Sequence, residues 1–302
     1  MSRITLYRLL DDIESNSKDL NWFLDFAGNY LEFTRFGESI KPNIQAEIIS
    51  VNESNYHFFQ YKDDGKNCIT RPINTNLFVT FANFDSVKSD FLYALKNIKD
   101  ISKEKALRQT INRVVYTCQQ SIGCTLDAIN NNNSAKKKNG ILFEVLIKNI
   151  VAGCGIDVDD NSEVVHLPGS RETMKFEQDI ILLDSDRNTK AVGQLKTSSK
   201  DRIDKIFLDK FMYNKLKEVD IPHFAIFLND VQRKDSNQAK YGISSTFLPG
   251  HFKAYTIALN PLDGVYYIDL RPSISSDKFL KRHIKQFDTF LTEDMWDFIK
   301  RG

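Results

Sequence analysis

The chain has 302 residues, 41% of them hydrophobic, with 41 basic against 40 acidic residues and a formal net charge of +1. That length and apolar content support one large α/β core or a core with a helical extension. The charge balance excludes a polycation that coats nucleic acid without choosing a site, while leaving room for a local basic groove. Cys68, Cys118, Cys124 and Cys154 form no Cys-x-x-Cys pair and the histidines are scattered singly, so neither a zinc framework nor a disulfide scaffold is indicated, and reduced thiols in a cytoplasm fit best.

At the N-terminus, Arg8, Asp11, Asp12 and Glu14 interrupt the apolar run that a signal peptide needs, and no later run is long enough to span a bilayer. A cytoplasmic protein with no membrane partner is expected. From Leu6 to about Phe33 apolar residues recur at spacings of three and four, which predicts one or two amphipathic helices. The short runs Ala46 to Val51, Tyr56 to Tyr61 and Asn76 to Phe81, separated by Asn, Gly, Asp and Pro, predict a small antiparallel meander. Helical spacing returns at Asp90 to Ile98 and at Lys105 to Ile129. Asn130 to Asn133, Ser134 and Lys136 to Lys138 then read as a linker, with a boundary near residue 135 closing an N-terminal helical/β subdomain, 1–135.

Beyond it the pattern predicts a helix (Gly140 to Ala152), a strand (Lys175 to Leu183), a polar turn, a strand (Ala191 to Ser198), a helix (Asp201 to Glu218) and a strand (His223 to Leu228). A hairpin followed by a crossover helix forces the last strand parallel to its neighbour, so the fold class is α/β: a mixed central sheet flanked by helices, an αβα core over 136–272. Asn229 to Ser245 is polar, Val265 to Leu270 is a last strand candidate stopped by Arg271-Pro272, and a helical segment, 273–302, ends the chain.

Asp179 sits in a run that otherwise reads Ile-Ile-Leu-Leu, so its carboxylate needs a cation, a set of donors or exposure at a strand end. Side chains alternate along a strand, which puts Gln194 and Lys196 on one face with Leu195 on the other, where a paired strand lets Asp179 join them. The same two residues also suit the solvent face of an amphipathic strand. Glu144 is the single carboxylate in the apolar helix Ile141 to Ile147; it either faces that cluster or pairs with Lys148 four residues on. Lys196 to Arg202 gathers hydroxyls, Lys200 and Arg202 at a helix start, which suits phosphate oxygens as well as a plain cap with Ser199 or Asp201 as N-cap. Arg171, in a Pro-Gly-Ser-Arg turn, is a further phosphate candidate. Asn229 to Lys240, with Arg233, Lys234 and Lys240, holds residue types that read base edges, and it also has the composition of a solvated loop. His251 reads as a hydrogen-bonded structural histidine.

Taken together, Glu144 on a helix, Asp179 closing a strand and Gln194-Leu195-Lys196 on the next strand resemble the PD-(D/E)xK nuclease superfamily, in particular its type II restriction endonucleases, over roughly Gly140 to Asp230. The resemblance makes Asp179 the motif aspartate, Lys196 the motif lysine, Glu144 the helix glutamate and Gln194 the occupant of the second acidic position. It implies Mg²⁺ held by Asp179, Gln194 and Glu144, in-line attack of water on phosphorus in double-stranded DNA, and 5′-phosphate products. It also implies a homodimer suited to a palindromic target and a cognate DNA methyltransferase in the same system; residues 1–135 would then grip the duplex or dimerise. Two departures stand out: Gln178 occupies the place of the motif proline, and Gln194 coordinates without neutralising. A structure-specific repair nuclease or junction resolvase, or a degenerate fold that only binds DNA, are the alternatives.

Overall fold

Leu6, Leu9 and Ile13 fall three and four apart and are all buried, so Leu6–Glu14 (α1) lies as an amphipathic helix. The computed structural model describes residues 4–14, 18–38, 46–50, 54–63, 66–129, 132–200, 202–234 and 242–301. They fall into two compact units, Met1–Lys96 with Glu104–Asn149 and Val231–Ser245, and Asn97–Lys103 with Ile150–Asp230 and Thr246–Gly302.

In the first unit Leu20–Thr34 (α2) starts where the Asp19 carboxylate accepts the Trp22 N–H at 2.8 Å and stops at Arg35, whose φ is 49°. A meander follows, built from Ala46–Ser50 (β1), Tyr56–Asp63 (β2), Lys66–Ile69 (β3) and Ile73–Asn74 (β4), all antiparallel to β2. The third expected run, Asn76 to Phe81, is not a strand. Asn74 Oδ1 accepts the Asn76 N–H at 3.1 Å and bends the chain into a turn instead. Next come Phe84–Lys96 (α3) and Lys105–Leu126 (α4), the latter buried along most of its second half.

The expected linker is helical from Asn132 onward, and Asn130 and Asn131 lie outside the described residues. Asn132–Gly153 (α5) begins inside the asparagine run, with Ser134, Lys136 and Lys137 exposed while Ala135 and Asn139 are buried. Gln119 Nε2 donates to both the carbonyl and Oδ1 of Asn139, each at 3.0 Å. Polar residues there make the wet face of a packed helix.

The second unit carries a six-stranded sheet and a separate two-stranded ribbon. Its elements run Asp157–Asp159 (β5), Ser162–His166 (β6), Thr173–Glu177 (β7), Ile180–Leu183 (β8), Thr189–Ser198 (β9), Ile203–Lys217 (α6) and His223–Asn229 (β10). Val231–Arg233 (β11) and Ile243–Ser245 (β12) pair with each other within the first unit. Then come Pro249–Ala258 (α7), Gly264–Tyr267 (β13), the short helices Pro272–Ser275 (α8) and Leu280–His283 (α9), Ile284–Gln286 (β14), Phe287–Thr289 (α10), a π-helical turn at Phe290–Asp294 and Met295–Lys300 (α11). The sheet order is β14-β13-β10-β9-β8-β5, parallel from β14 to β9 and antiparallel from β9 to β5.

The crossover through α6 makes β9 and β10 parallel, as the sequence predicts. Phe207 of α6 packs on Phe252 of α7 with Ala225, Phe227 and Val265 from the sheet, while on the other side Phe224 stacks on Phe298 with ring centroids 5.9 Å apart. The mixed sheet flanked by helices is therefore present. Two expectations within this unit need correction. Lys175 to Leu183 is not one strand: β7 pairs with β6, β8 pairs with β9, and the chain bends between them at Gln178-Asp179. The segment 273–302 is not wholly helical, because β14 adds itself parallel to β13.

Candidate active site

The site starts from an unequal length of strands. β8 accompanies β9 only from Thr189 to Gly193, whereas β10 follows it from Val192 to Ser198, so Gln194 to Ser198 has a ladder on one edge alone. Gly193 marks the changeover. A Cβ there would lie 2.4 Å from the Phe224 ring and 2.9 Å from Ile180 Cγ2, so only glycine fits.

At the open edge the bend at Asp179 takes over from the missing strand. Its N–H donates to the Gly193 carbonyl at 3.2 Å, and its Oδ2 accepts the Leu195 N–H at 2.7 Å and pairs with Lys196 Nζ. The side chains of Asp179 and Lys196 are 15% and 21% exposed, so the pair stays reachable from solvent. Asp179 Oδ1 receives no hydrogen bond from a described residue.

Gln194, 8% exposed, donates from Nε2 to the Glu177 carbonyl at 2.9 Å and to Gln178 Oε1 at 3.1 Å. A main-chain carbonyl only accepts, which fixes the amide so that nitrogen faces Glu177 and Oε1 is the end left for another partner. The two glutamines that depart from the resembled motif thus pair with one another. Proline at 178 would remove the acceptor that Gln178 supplies, and a carboxylate at 194 would face the Glu177 carbonyl with no proton to share. Gln194→Glu is therefore expected to lose about 1–3 kcal/mol of stability at neutral pH and to gain no activity, as read by urea unfolding and a cleavage assay. A more stable, faster variant would contradict this account of the glutamine pair.

On α6, Lys205 and Asp209 lie four apart and share a face. Burial raises the carboxyl of Asp209, opposed by the charges of Lys205 and Lys196. Glu177, exposed, is held below the usual carboxylate range first by its hydrogen bond from Lys175, with Lys205 and Lys196 adding to it. Sequence reasoning did not single out Asp209, because between Leu208 and Lys210 it looks like any helix-surface aspartate. Among the described residues no group of three or more Asp, Glu, His or Cys is arranged to hold a metal ion.

The other expected residues are placed as follows. Glu144 lies half-buried on α5, in the first unit. Arg171 is exposed in the turn joining β6 to β7, and Lys200 and Arg202 are exposed between β9 and α6. The N-cap of α6 is Arg202, with no side-chain cap, in place of Ser199 or Asp201; Asp201 lies outside the described residues, and Ser199 is turned inward to Thr246. Arg233 and Lys234 are exposed in the first unit, with Arg233 Nη1 donating to the Ile69 carbonyl at 3.2 Å, and Lys240 lies outside the described residues. His251 Nδ1 is 3.3 Å from Asp204 Oδ2 on the surface.

The mixed sheet flanked by helices matches the fold of solved restriction endonucleases. Among solved structures the chain is similar to the type IIP restriction endonuclease Kpn2I, at 18% identity and a TM-score of 0.73 over 97% of each chain. It is also similar to the restriction endonuclease PspGI, solved with substrate DNA, at 13% identity and a TM-score of 0.45 over 73% of this chain and 91% of that one. No family model and no curated protein matches the sequence.

Proposed function

We propose that the chain is a type II restriction endonuclease that hydrolyses double-stranded DNA at a specific sequence, with Mg²⁺, to leave 5′-phosphate ends. The observation that carries this reading is the meeting of Asp179 and Lys196 at the open edge of β9, next to a Gln194 whose carboxamide oxygen is oriented by its neighbours. It works as a homodimer on a two-fold target, in the cytoplasm, beside a methyltransferase that protects the host's sites.

The donor set suits a hard cation: Asp179 Oδ1, Gln194 Oε1 and the Asp209 carboxylate are all oxygens, and a DNA phosphate supplies further charge. A bound Mg²⁺ would polarise phosphate oxygens and acidify a water. The rest falls to the chain. Lys196 exchanges Asp179 for a non-bridging phosphate oxygen and holds the charge that builds there, while Leu195 N–H keeps the Asp179 carboxylate aimed at the site. Arg171, Lys200, Arg202, Arg233, Lys234 and Lys240 contact the DNA backbone or bases.

Two carboxylates are proposed to supply the second negative charge, Glu144 by resemblance and Asp209 by its place near Lys196. Purified protein with Mg²⁺ is expected to cut plasmid DNA into discrete bands, and EDTA to stop it. Asp209→Asn is expected to slow cutting by roughly 10²-fold with DNA affinity kept, and Glu144→Gln by less. Metal-independent smearing, or no cutting of any DNA, would end the nuclease reading.

A further inference from the structure

Past Gly193, β9 runs with β10 alone, and the next fixed point downstream is a cluster of hydroxyls. Thr246 Oγ1 lies 3.2 Å from Ser198 Oγ and 3.2 Å from Ser199 Oγ, and Ser198 Oγ also accepts the Lys200 N–H at 3.2 Å. Ser199 is 1% and Thr246 8% exposed, so the bond between them is sheltered from competing water. Thr246 is itself held firmly. Its N–H donates to the Asp230 carbonyl at 2.7 Å, and the fully buried Asp230 carboxylate takes Arg271 Nε and Nη2, each at 2.7 Å. The following residue, Phe247, packs on Phe252 with ring centroids 5.7 Å apart.

We propose that Thr246 is a positioning residue for the nuclease reaction: its hydroxyl, shared between Ser198 and Ser199, locks the one-edged end of β9 and so sets where Lys196 and Gln194 stand relative to Asp179. The proposal rests on the function proposed above. The Thr246 hydroxyl bonds to Ser198 and Ser199 and to none of those three residues, so its action passes through the strand. A strand end held at one edge lets a side chain two residues away shift by about 1 Å, a displacement that costs roughly 10²-fold in rate when it misplaces a reacting group.

Thr246→Val keeps the shape and removes the hydroxyl, and Thr246→Ser keeps the hydroxyl. The valine variant is expected to cut roughly 10- to 10²-fold more slowly in single turnover, with metal-free DNA affinity unchanged and faster amide exchange confined to residues 196–199; the serine variant restores both. Wild-type cutting and exchange in the valine variant would overturn the proposal, as would exchange raised evenly through the unit. Should that variant not fold, Ser198→Ala and Ser199→Ala remove the two bonds singly, and the same readouts decide. A wild-type protein that leaves DNA intact refutes the nuclease reading, while the exchange pattern, measured without DNA, still decides the lock.

Discussion

Asp179→Asn is expected to abolish cleavage, by roughly 10³-fold or more in single turnover, while DNA binding without metal holds or tightens. The asparagine Oδ1 can still accept the Leu195 N–H that Asp179 Oδ2 now takes at 2.7 Å, so the bend and the strand edge survive. What disappears is the negative charge. With the proposed ligands, the neutral Gln194 amide and either Glu144 or Asp209 would then have to hold a divalent cation, and several kcal/mol of transition-state stabilisation would go with the lost charge. Phosphate also meets one anion fewer, which is why affinity is not expected to drop. Cutting within tenfold of wild type, measured with a gel-shift control on the same preparation, would remove Asp179 from the centre of the site.

The parts of this fold that sequence carries are those whose pattern repeats. β9, α6 and β10 read cleanly because Ala191 to Ser198 and His223 to Leu228 are strand-like runs on either side of a helical spacing, and a crossover leaves one handed solution. The break at Asp179 was not legible. Nothing in Phe176 to Leu183 tells that Glu177 pairs with Ser162 while Ile180 pairs with Gly193, since pairing partners are a property of the whole sheet. Yet that break makes the site, by leaving an open edge for the carboxylate. Composition misled at Ser134 to Lys138, where asparagine and lysine suggest a linker and the phase of Ala135 and Asn139 gives a helix. β14 has three residues, too few for any period to show. Asp209 does not stand out, for a different reason: the role proposed for it depends on Lys196, thirteen positions away across a loop and a helix turn.

Lys196→Ala is expected to slow cleavage by roughly 10²- to 10³-fold, the cost of losing one preorganised donor to a charge that grows in the transition state. Lys196→Arg discriminates between charge and reach. Guanidinium keeps the positive charge and spreads it over a planar fork, so it can still pair with Asp179 yet cannot place a single ammonium against one phosphate oxygen from the same Cα. The arginine variant is therefore expected to bind DNA as wild type does and to cut nearly as slowly as the alanine variant. In the free protein the two should part company: alanine leaves the Asp179 carboxylate, 15% exposed, with only the Leu195 N–H on Oδ2, and unfolding should come earlier in urea, by about 1–3 kcal/mol, than for arginine. If arginine restored cutting to within a few-fold of wild type, Lys196 would be acting as a general electrostatic anchor for DNA, and the point contact with the scissile phosphate would have to be given up.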